Sequence, residues 1–252
     1  MALLVVKAVR RIYNRFFSSE KELVTRLRRL LGFTPAYLNV FKLAFSHKSS
    51  NDNNRQQPYG GQNNERLEYL GDAVLGTIVA EYLYKKYPTA DEGFLTKMRS
   101  KIVKRKSLNA IGYDMGLDEI LSTYNNTRIA RSMLGNAVEA LVGAVYVERG
   151  YVGTTHFVVQ RMLRNYVDID TLETYDDNYK SQLLEHCQKN GQKVDYEILK
   201  RFKQDKRDRF RVAVTINGRR MAVGEDYNKK SAEQQASRRA LKDLGIEVGA
   251  QG

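Results

Sequence analysis

Two apolar helical segments constrain the fold most, because each is too apolar to lie on a protein surface. The first spans Glu65 to Tyr87 and is nearly all apolar over residues 73–80. The second spans about Arg128 to Glu148 and has an apolar centre from Ala140 to Val147. A helix that is apolar on all sides has to be central to a bundle. We therefore predict an all-helical domain over residues 20–168 that is built around these two segments.

Shorter helical patterns flank the two apolar segments. They predict a helix that ends at Gly32, a short helix after Pro35, and helices over about Glu92–Gly112 and Val152–Tyr166. Residues 1–19 form a basic extension. It could be an amphipathic helix that touches membrane or RNA, but we favour a helix that either packs on the body of the protein or is frayed.

The periodicity changes after residue 168. Residues 169–177 are polar and predict a linker, and residues 248–252 predict a tail. Between them, apolar residues alternate with polar ones in three short runs, which is typical of half-buried strands. The apolar positions are Val194, Tyr196 and Ile198, then Phe210, Val212, Val214 and Ile216, then Met221 and Val223.

Turn and helix signals complete this second domain. Asn217-Gly218 between the second and third runs predicts a hairpin turn. Leu183, Leu184 and Cys187 mark one face of a helix before the strands, and a helix from about Lys229 to Leu244 follows them. Residues 178–247 are therefore predicted to form a small α-β-β-β-α domain, in a chain that is mainly α-helical overall.

The charge of the chain favours a polyanionic partner. Lys and Arg number 42 against 29 Asp and Glu, a formal net charge of +13. Residues 178–247 hold 17 Lys and Arg against 10 Asp and Glu, so this short segment carries +7 of that charge. Nucleic acid and anionic membrane surfaces are the partners that such an excess attracts.

Cysteine, histidine and hydropathy exclude several other classes. The single cysteine, Cys187, rules out an intrachain disulfide framework, and three scattered histidines predict no zinc site. The apolar stretch near the start, Ala2 to Val6, is too short for a membrane span and lacks a secretory cleavage pattern. We expect a cytoplasmic protein without a membrane span.

Carboxylates interrupt both apolar helices. Glu65, Glu68 and Asp72 lie at i, i+3 and i+7, so they share one face of the first helix. Such a face is often merely solvated, but this helix runs on into a core, and Glu139 lies within the apolar part of the second helix. If the two helices pack together, the carboxylates converge and repel each other unless a cation lies between them. Oxygen ligands alone favour a hard cation such as Mg²⁺, which suits phosphoryl chemistry.

These segments resemble the ribonuclease III family. The resemblance rests on residues 64–75 (NERLEYLGDAVL), on residues 44–49 (AFSHKS), on residues 91–93 (DEG) and on residues 138–141 (VEAL). It implies an all-helical nuclease domain that dimerises and aligns two metal sites across one RNA duplex. A two-fold axis also suits a duplex, because its two strands run antiparallel.

The resemblance implies a role for each candidate residue. Glu68, Asp72 and Glu139 would be metal ligands for Mg²⁺, with Mn²⁺ as a substitute and without a small-molecule cofactor. Glu65 and Glu92 match acidic positions that handle substrate, and Tyr69 matches an aromatic residue at the dimer contact. Ordinary core packing is the alternative role for Tyr69.

Asn136 departs from the family pattern, which has an aspartate three residues before the glutamate. An amide oxygen still ligates Mg²⁺ or its water but brings no negative charge, so metal affinity should fall. The chain is then an active enzyme in which three carboxylates suffice, a natural binder that has lost cleavage, or a protein altered to trap substrate. We favour the first, because the other acidic residues all remain.

The second domain resembles a double-stranded RNA-binding domain. Such domains recognise the A-form shape of a duplex across minor grooves and phosphates. The resemblance implies that Lys229 and Lys230 contact phosphates and that the first helix, near Lys180, Gln182 and Glu185, faces a minor groove. The loop from Lys203 to Arg209 is expected to reach another minor groove. That loop lacks the usual Gly-Pro-x-His type of sequence. Either Lys206 or Arg207 contacts phosphate there, or the loop is simply solvated.

The sequence thus predicts an endoribonuclease that hydrolyses both strands of duplex RNA as a homodimer, in RNA processing such as that of rRNA and mRNA. Water activated by the metal would be the nucleophile, and the resemblance to the family implies 5′-phosphate and 3′-hydroxyl ends. A duplex RNA-binding protein with weakened or lost cleavage is the alternative. A DNA nuclease is disfavoured, because domains that bind A-form duplexes should bind B-form duplexes poorly.

Overall fold

The computed structural model describes residues 2–46, 63–125, 129–174, 178–204 and 207–246. Contacts divide the chain into two compact units, Met1–Asp168 and Ile169–Gly252. The first unit is helical over its described residues and the second contains a three-stranded sheet between helices, so the predicted fold class is confirmed. No helix among the described residues is both long and apolar enough to cross a bilayer.

The first unit contains helices on either side of a central pair. The helices are α1 (Ala2–Phe16), α2 (Lys21–Leu31), α3 (Leu38–Ala44), α4 (Glu65–Lys86), α5 (Glu92–Val103), α6 (Arg105–Asp114), α7 (Leu117–Tyr124) and α8 (Arg131–His156). A π-helical segment, Phe157–Leu163, and a short helix, α9 (Arg164–Tyr166), follow α8.

Helices α4 and α8 form the predicted central pair and make the most extensive helix–helix contact of the unit. Residues 140–145 of α8 are all buried, as the apolar sequence requires. Helix α4 is less enclosed than its sequence suggests. Ala73 and Thr77 are exposed, while Leu75, Ile78 and Val79 on the opposite side are buried. The prediction that α4 is covered all round was therefore wrong, because α8 and its neighbours cover only one side.

One predicted helix is divided by a backbone break, and a second break falls between two helices that were predicted separately. The single helix predicted over Glu92–Gly112 is two helices, because Lys104 has an extended backbone (φ −62°, ψ 144°) between α5 and α6. Helix α7 was not predicted. In α8, Gly150 leaves the helical conformation with φ 66°, a value that glycine tolerates without a side-chain clash. Gly32 ends α2 with φ 79°, as predicted.

The second unit has the predicted α-β-β-β-α order over its main part. Its elements are α10 (Ile169–Thr174), α11 (Tyr179–Lys189), β1 (Val194–Gln204), β2 (Arg207–Ile216), β3 (Arg219–Asp226) and α12 (Lys229–Asp243). The sheet is antiparallel in the order β1-β2-β3. Asn217 and Gly218 connect β2 to β3 with φ angles of 49° and 79°, the two positive values that a type I′ turn needs.

The core of this unit differs from the prediction at the helix faces. Tyr179, Leu183 and Cys187 are the buried residues of α11, whereas Leu184 is 39% exposed. In α12 the buried apolar residues are Ala232, Ala236, Ala240 and Leu241, whereas Leu244, at the predicted end of this helix, is 37% exposed. Helix α12 lies close to β3, because a Cβ on Gly224 would come within 2.1 Å of the Ala232 carbonyl oxygen. Residues 169–174 of the expected linker form α10, and residues 175–177 lie outside the described part.

Candidate active site and RNA-binding surface

Glycines bring the backbones of α4 and α8 into direct contact. A Cβ on Gly71 would stand 1.7 Å from the carbonyl oxygen of Glu139, and a Cβ on Gly143 would stand 2.3 Å from that of Leu67. No side chain larger than hydrogen fits at such distances. The crossing point therefore lies where Glu68 and Asp72, on either side of Gly71, come nearest to Glu139.

The electrostatics of Glu139 show that the carboxylates converge. Burial, and after it the negative charges of Asp72 and Glu68, together raise the pKa of Glu139 to about 7. Arg105, at the start of α6, acts in the opposite direction. The three carboxylates that the sequence singled out are thus close enough to repel each other. Glu139 is half-buried and Asp72 is exposed, so solvent reaches the site.

Asn136 lies one helical turn before Glu139 on α8 and is half-buried. Its neighbour Gly135 donates its backbone N–H to the side chain of Asn109 on α6 at 2.8 Å. The side chains of Leu134 and Val138 pack against Gly112, also on α6. These contacts fix the part of α8 that carries Asn136 and Glu139.

Two other predicted acidic residues, Glu65 and Glu92, are not among the charges that shift the pKa of Glu139. Glu65 is exposed at the start of α4, where its N–H is bonded to the side chain of Asn63 at 3.0 Å. Glu92 is exposed in the first turn of α5 and accepts a hydrogen bond from Thr96 at 2.8 Å. It lines a pocket of about 530 Å³ between α4 and α5 that also contacts Arg99.

The donor set is suited to a hard cation by type and by charge. It offers only oxygen atoms, and their mutual repulsion is what a bound cation would relieve. Within the described residues, however, no three Asp, Glu, His or Cys side chains already form a group that could hold a metal. Ligation by Glu68, Asp72 and Glu139 therefore requires their side chains to turn towards one point.

Tyr69 is 82% exposed on α4, which excludes core packing within one chain. It follows Glu68 directly in sequence and lies about one helical turn before Asp72 on the same helix. A large aromatic ring in this position is available to contact another molecule.

The second unit presents a cationic helix start. Asn228 caps α12 by accepting a hydrogen bond from Ser231 N–H at 2.8 Å, and Lys229 and Lys230 follow it, both exposed. Lys229 Nζ lies 3.8 Å from Glu233 Oε1. Free N–H groups and the helix dipole at this end add to the two lysine charges, an arrangement that favours phosphate.

Lys180 is held within the unit. Its ammonium group lies 2.6 Å from Glu233 Oε2 and 4.5 Å from the centre of the Tyr196 ring, so it ties α11 to α12 and β1. Gln182 on the same helix is half-buried.

The loop expected from Lys203 to Arg209 is mostly strand. β1 continues to Gln204 and β2 begins at the exposed Arg207, and Arg201 pairs with Asp208 across them at 2.9 Å. The expectation of a loop was wrong at these positions because cross-strand ion pairs extend the ladder. Lys206 lies outside the described residues, as do His47, Lys48 and Ser49 of the family-like segment.

The structure adds three residues that the sequence reasoning missed. Gly71 and Gly143 set the distance between the carboxylate-bearing helices, and Arg105 places a positive charge near Glu139. Glycines inside otherwise apolar helices were the available signal, since glycine weakens a helix unless close packing requires it. Nothing in the local sequence of Arg105 indicated its position.

Comparison with known proteins places both units. A family model described as ribonuclease-III-like matches residues 38–166, and one described as double-stranded RNA binding motif matches residues 179–244. Ribonuclease 3 of Azobacteroides pseudotrichonymphae is 41% identical, over 88% of this chain and 85% of its own length. Ribonuclease 3 of Zunongwangia profunda is also 41% identical, over 93% of this chain and 96% of its own length.

Among solved structures, the nuclease domain of ribonuclease III from Campylobacter jejuni is similar. It is 30% identical in sequence, and the match covers 57% of this chain and 98% of the Campylobacter jejuni chain, with a TM-score of 0.48. With the two family models and relatives of nearly equal length, the helical unit and the α-β-β-β-α unit have their counterparts in one known family. The chain belongs to the ribonuclease III family, the metal-dependent endonucleases of double-stranded RNA.

Proposed function

We propose that this chain hydrolyses both strands of duplex RNA at a Mg²⁺ site formed by Glu68, Asp72 and Glu139. The observation that carries the proposal is the crossing at Gly71 and Gly143. There Glu139 is half-buried, and burial together with the charges of Asp72 and Glu68 raises its pKa to about 7. Such a cluster destabilises the fold because like charges repel, and a bound cation would relieve that repulsion. Asn136, one turn from Glu139, would supply an amide oxygen.

The residues around this cluster have distinct roles in the proposal. Bound Mg²⁺, or Mn²⁺ in its place, would activate water and neutralise charge on the phosphate. Glu139 has to be ionised to hold the cation. Arg105 favours that ionised form. Glu65 and Glu92 would act on the substrate from outside the cluster.

Residues 178–247 would bind the RNA duplex. Lys229 and Lys230 would contact phosphates, with Arg207 and Lys206 as further contacts and Gln182 at a minor groove. Lys180 would face the RNA beside Gln182. Its ion pair with Glu233 also positions α11 beside the start of α12.

A homodimer would supply the second active site. One chain carries one carboxylate cluster, and a two-fold axis matches the two antiparallel strands of a duplex. The exposed ring of Tyr69 would lie at the contact between protomers. Processing of cellular RNA in the cytoplasm is the setting that this activity implies.

The Asn136→Asp variant tests the proposal directly. A labelled perfect RNA duplex is incubated with the unmodified chain or with this variant, in Mg²⁺ and in chelator. We expect the unmodified chain to cut in Mg²⁺ alone, and the variant to reach the same rate at lower Mg²⁺, because an added negative ligand strengthens hard-cation binding. Binding without cutting by the unmodified chain, rescued by Asn136→Asp, would instead show a duplex-binding protein.

Replacing both Lys229 and Lys230 by alanine should weaken duplex binding and reduce its salt dependence by about two units of the log–log slope, about one for each phosphate that is no longer neutralised. Fluorescence anisotropy across a salt series in chelator measures both quantities. Lys189→Ala with Lys242→Ala is the matched control, since it removes the same charge from the far ends of α11 and α12. Equal losses of affinity in both pairs would show that only net charge matters.

A further inference from the structure

Helix α1 lies on the first unit with its polar side facing inwards. Lys7, Arg11 and Asn14 follow at helical spacing, and we name them the inner stripe. Lys7 Nζ donates to the carbonyl oxygen of Glu148 at 2.7 Å, and Arg11 Nη2 lies 3.4 Å from Glu148 Oε1. Asn14 donates to the carbonyl oxygens of residues 35 and 36 at 2.9 and 3.2 Å. The three side chains of the inner stripe are thus engaged by the body of the protein.

Glu148 anchors this contact from α8. Its side chain is fully buried and accepts hydrogen bonds from the backbone N–H groups of Ala36 and Tyr37 at 2.9 to 3.2 Å. The Tyr37 ring in turn lies 5.1 Å from the guanidinium of Arg10. Charge-assisted hydrogen bonds of this kind hold a helix in one orientation. Helix α1 therefore does not turn freely about its axis.

The opposite side of α1 is apolar and exposed. We name it the outer stripe, and its side chains are between 45% and 60% exposed. Its members are Val5, Val6, Val9, Ile12, Tyr13 and Phe16. The next residue, Phe17, is 70% exposed and stacks on Tyr13 with ring centres 6.3 Å apart. This is the reverse of an ordinary surface helix, which turns its apolar face to the core.

Positive charges border the outer stripe on both sides. At 100° per residue, Arg10 and Arg15 stand roughly 100° to either side of its centre, and both are exposed. The first nineteen residues contain four Lys and Arg and no Asp or Glu. An apolar face with basic borders and aromatic residues at one end is the pattern of a helix that lies in a membrane interface.

The charge pattern selects among the surfaces that could cover the outer stripe. Two copies of this stripe packed together would bring arginine borders side by side, where like charges repel. The outer face of an RNA duplex offers phosphates but no apolar surface. An anionic lipid leaflet offers both, because it attracts basic side chains while its acyl boundary takes apolar ones.

We propose that α1 is a membrane-surface anchor, whose outer stripe enters the interface of an anionic lipid leaflet while Arg10 and Arg15 contact the headgroups. The helix lies in the plane of the membrane and does not span it. The inner stripe keeps α1 attached to the nuclease unit, so the whole enzyme would be carried at the lipid surface.

A tryptophan reporter tests insertion, because the chain contains no tryptophan. We expect Phe17→Trp in the full chain to show a blue-shifted emission with phosphatidylglycerol-containing vesicles and little shift with phosphatidylcholine alone. Val152→Trp, at an 82% exposed apolar position on α8, is the matched control and should not shift. No shift at residue 17, or an equal shift at residue 152, would overturn the proposal.

Vesicle sedimentation at about 0.15 M salt tests the apolar contact, since attraction by the remaining charge is screened beyond about 8 Å there. Val9→Gln with Ile12→Gln should weaken partitioning by about tenfold or more, because two exposed apolar side chains no longer enter the interface. Val152→Gln should leave it unchanged, and all variants should keep their helix content and RNA cleavage. Undiminished sedimentation of the double variant would contradict insertion. A fall in its molecular mass without lipid would show that the outer stripe joins two chains instead.

Discussion

The Glu139→Gln variant should lose Mg²⁺-dependent cleavage of an RNA duplex and keep its binding to the same duplex. Partners that merely orient a metal ligand are worth about 10- to 100-fold, so the loss of a ligand should exceed that. Binding should persist because the double-stranded RNA binding motif, residues 179–244, lies in a separate compact unit, Ile169–Gly252. Single-turnover cleavage and anisotropy, on the same protein preparation, measure the two effects.

The same variant should be at least as stable as the unmodified chain in chelator. The folded-state pKa of Glu139 is raised from 4.5 to about 7, so folding disfavours its ionised form. Below pH 4.5 the group is protonated in both states and brings no penalty. Between pH 4.5 and 7 the penalty grows, and above pH 7 it is fully present. The stability gained by Glu139→Gln should therefore be absent at pH 4 and largest above pH 7.

Thermal unfolding at a series of pH values in chelator measures this difference. Glu119→Gln is a suitable control, because Glu119 is an exposed carboxylate on α7 that pairs with Arg26 at 3.5 Å. It should alter neither cleavage nor the pH profile. Cleavage that survives Glu139→Gln would show that the catalytic carboxylates lie elsewhere. A stability difference that does not change with pH would show that burial and the charges of Asp72 and Glu68 do not raise the pKa of Glu139.

The second large effect is expected from Gly71→Ala. The added methyl carbon would stand 1.7 Å from the Glu139 carbonyl oxygen and 2.9 Å from the Gly143 nitrogen, both of them backbone atoms. The helices must separate to admit it. Forcing extra atoms into a packed core costs about 1–3 kcal/mol and sometimes more, and backbone offers less relief than a side chain. We expect a loss of at least about 2 kcal/mol in the free energy of unfolding.

Separation of the helices should also impair catalysis, because it moves Asp72 away from Glu139. Cleavage measured well below the unfolding temperature should fall more than the folded fraction does. Gly76→Ala is the matched control in the same helix, since a Cβ there has nothing within 4 Å. It should raise stability by about 0.5–1 kcal/mol, the helical preference of alanine over glycine, and leave cleavage unchanged. Similar behaviour of the two variants would contradict the close crossing.

Much of the architecture follows from periodicity. The apolar runs of α4 and α8 predicted a central helix pair, and alternation with Asn217-Gly218 predicted the β2–β3 hairpin. Both are confirmed. The break at Lys104 and the exposed side of α4 were not predictable in the same way. A break depends on the direction in which α6 must run to reach α8, and exposure depends on which neighbours are present.

The carboxylates show the same division. Their spacing indicated which residues share a helix face, but their convergence depends on where α4 and α8 cross. Gly71 and Gly143 decide that point, because they allow backbone contact between two segments that lie about 70 residues apart in the chain. Helix α1 is a further case: its amphipathic pattern is visible in the sequence, and the natural inference would bury its apolar side.

The sequence by itself determined the two-part organisation, the helix and strand types, the family and the identity of the acidic residues, because these depend on local periodicity and on residue chemistry. Only the tertiary structure decided how near Glu139 lies to Asp72, that Lys180 is tied to Glu233, and that α1 turns its apolar side outwards. Each of these depends on contacts between residues far apart in the chain. Such contacts are selected by packing and by hydrogen-bond satisfaction over the whole unit, which no local pattern records.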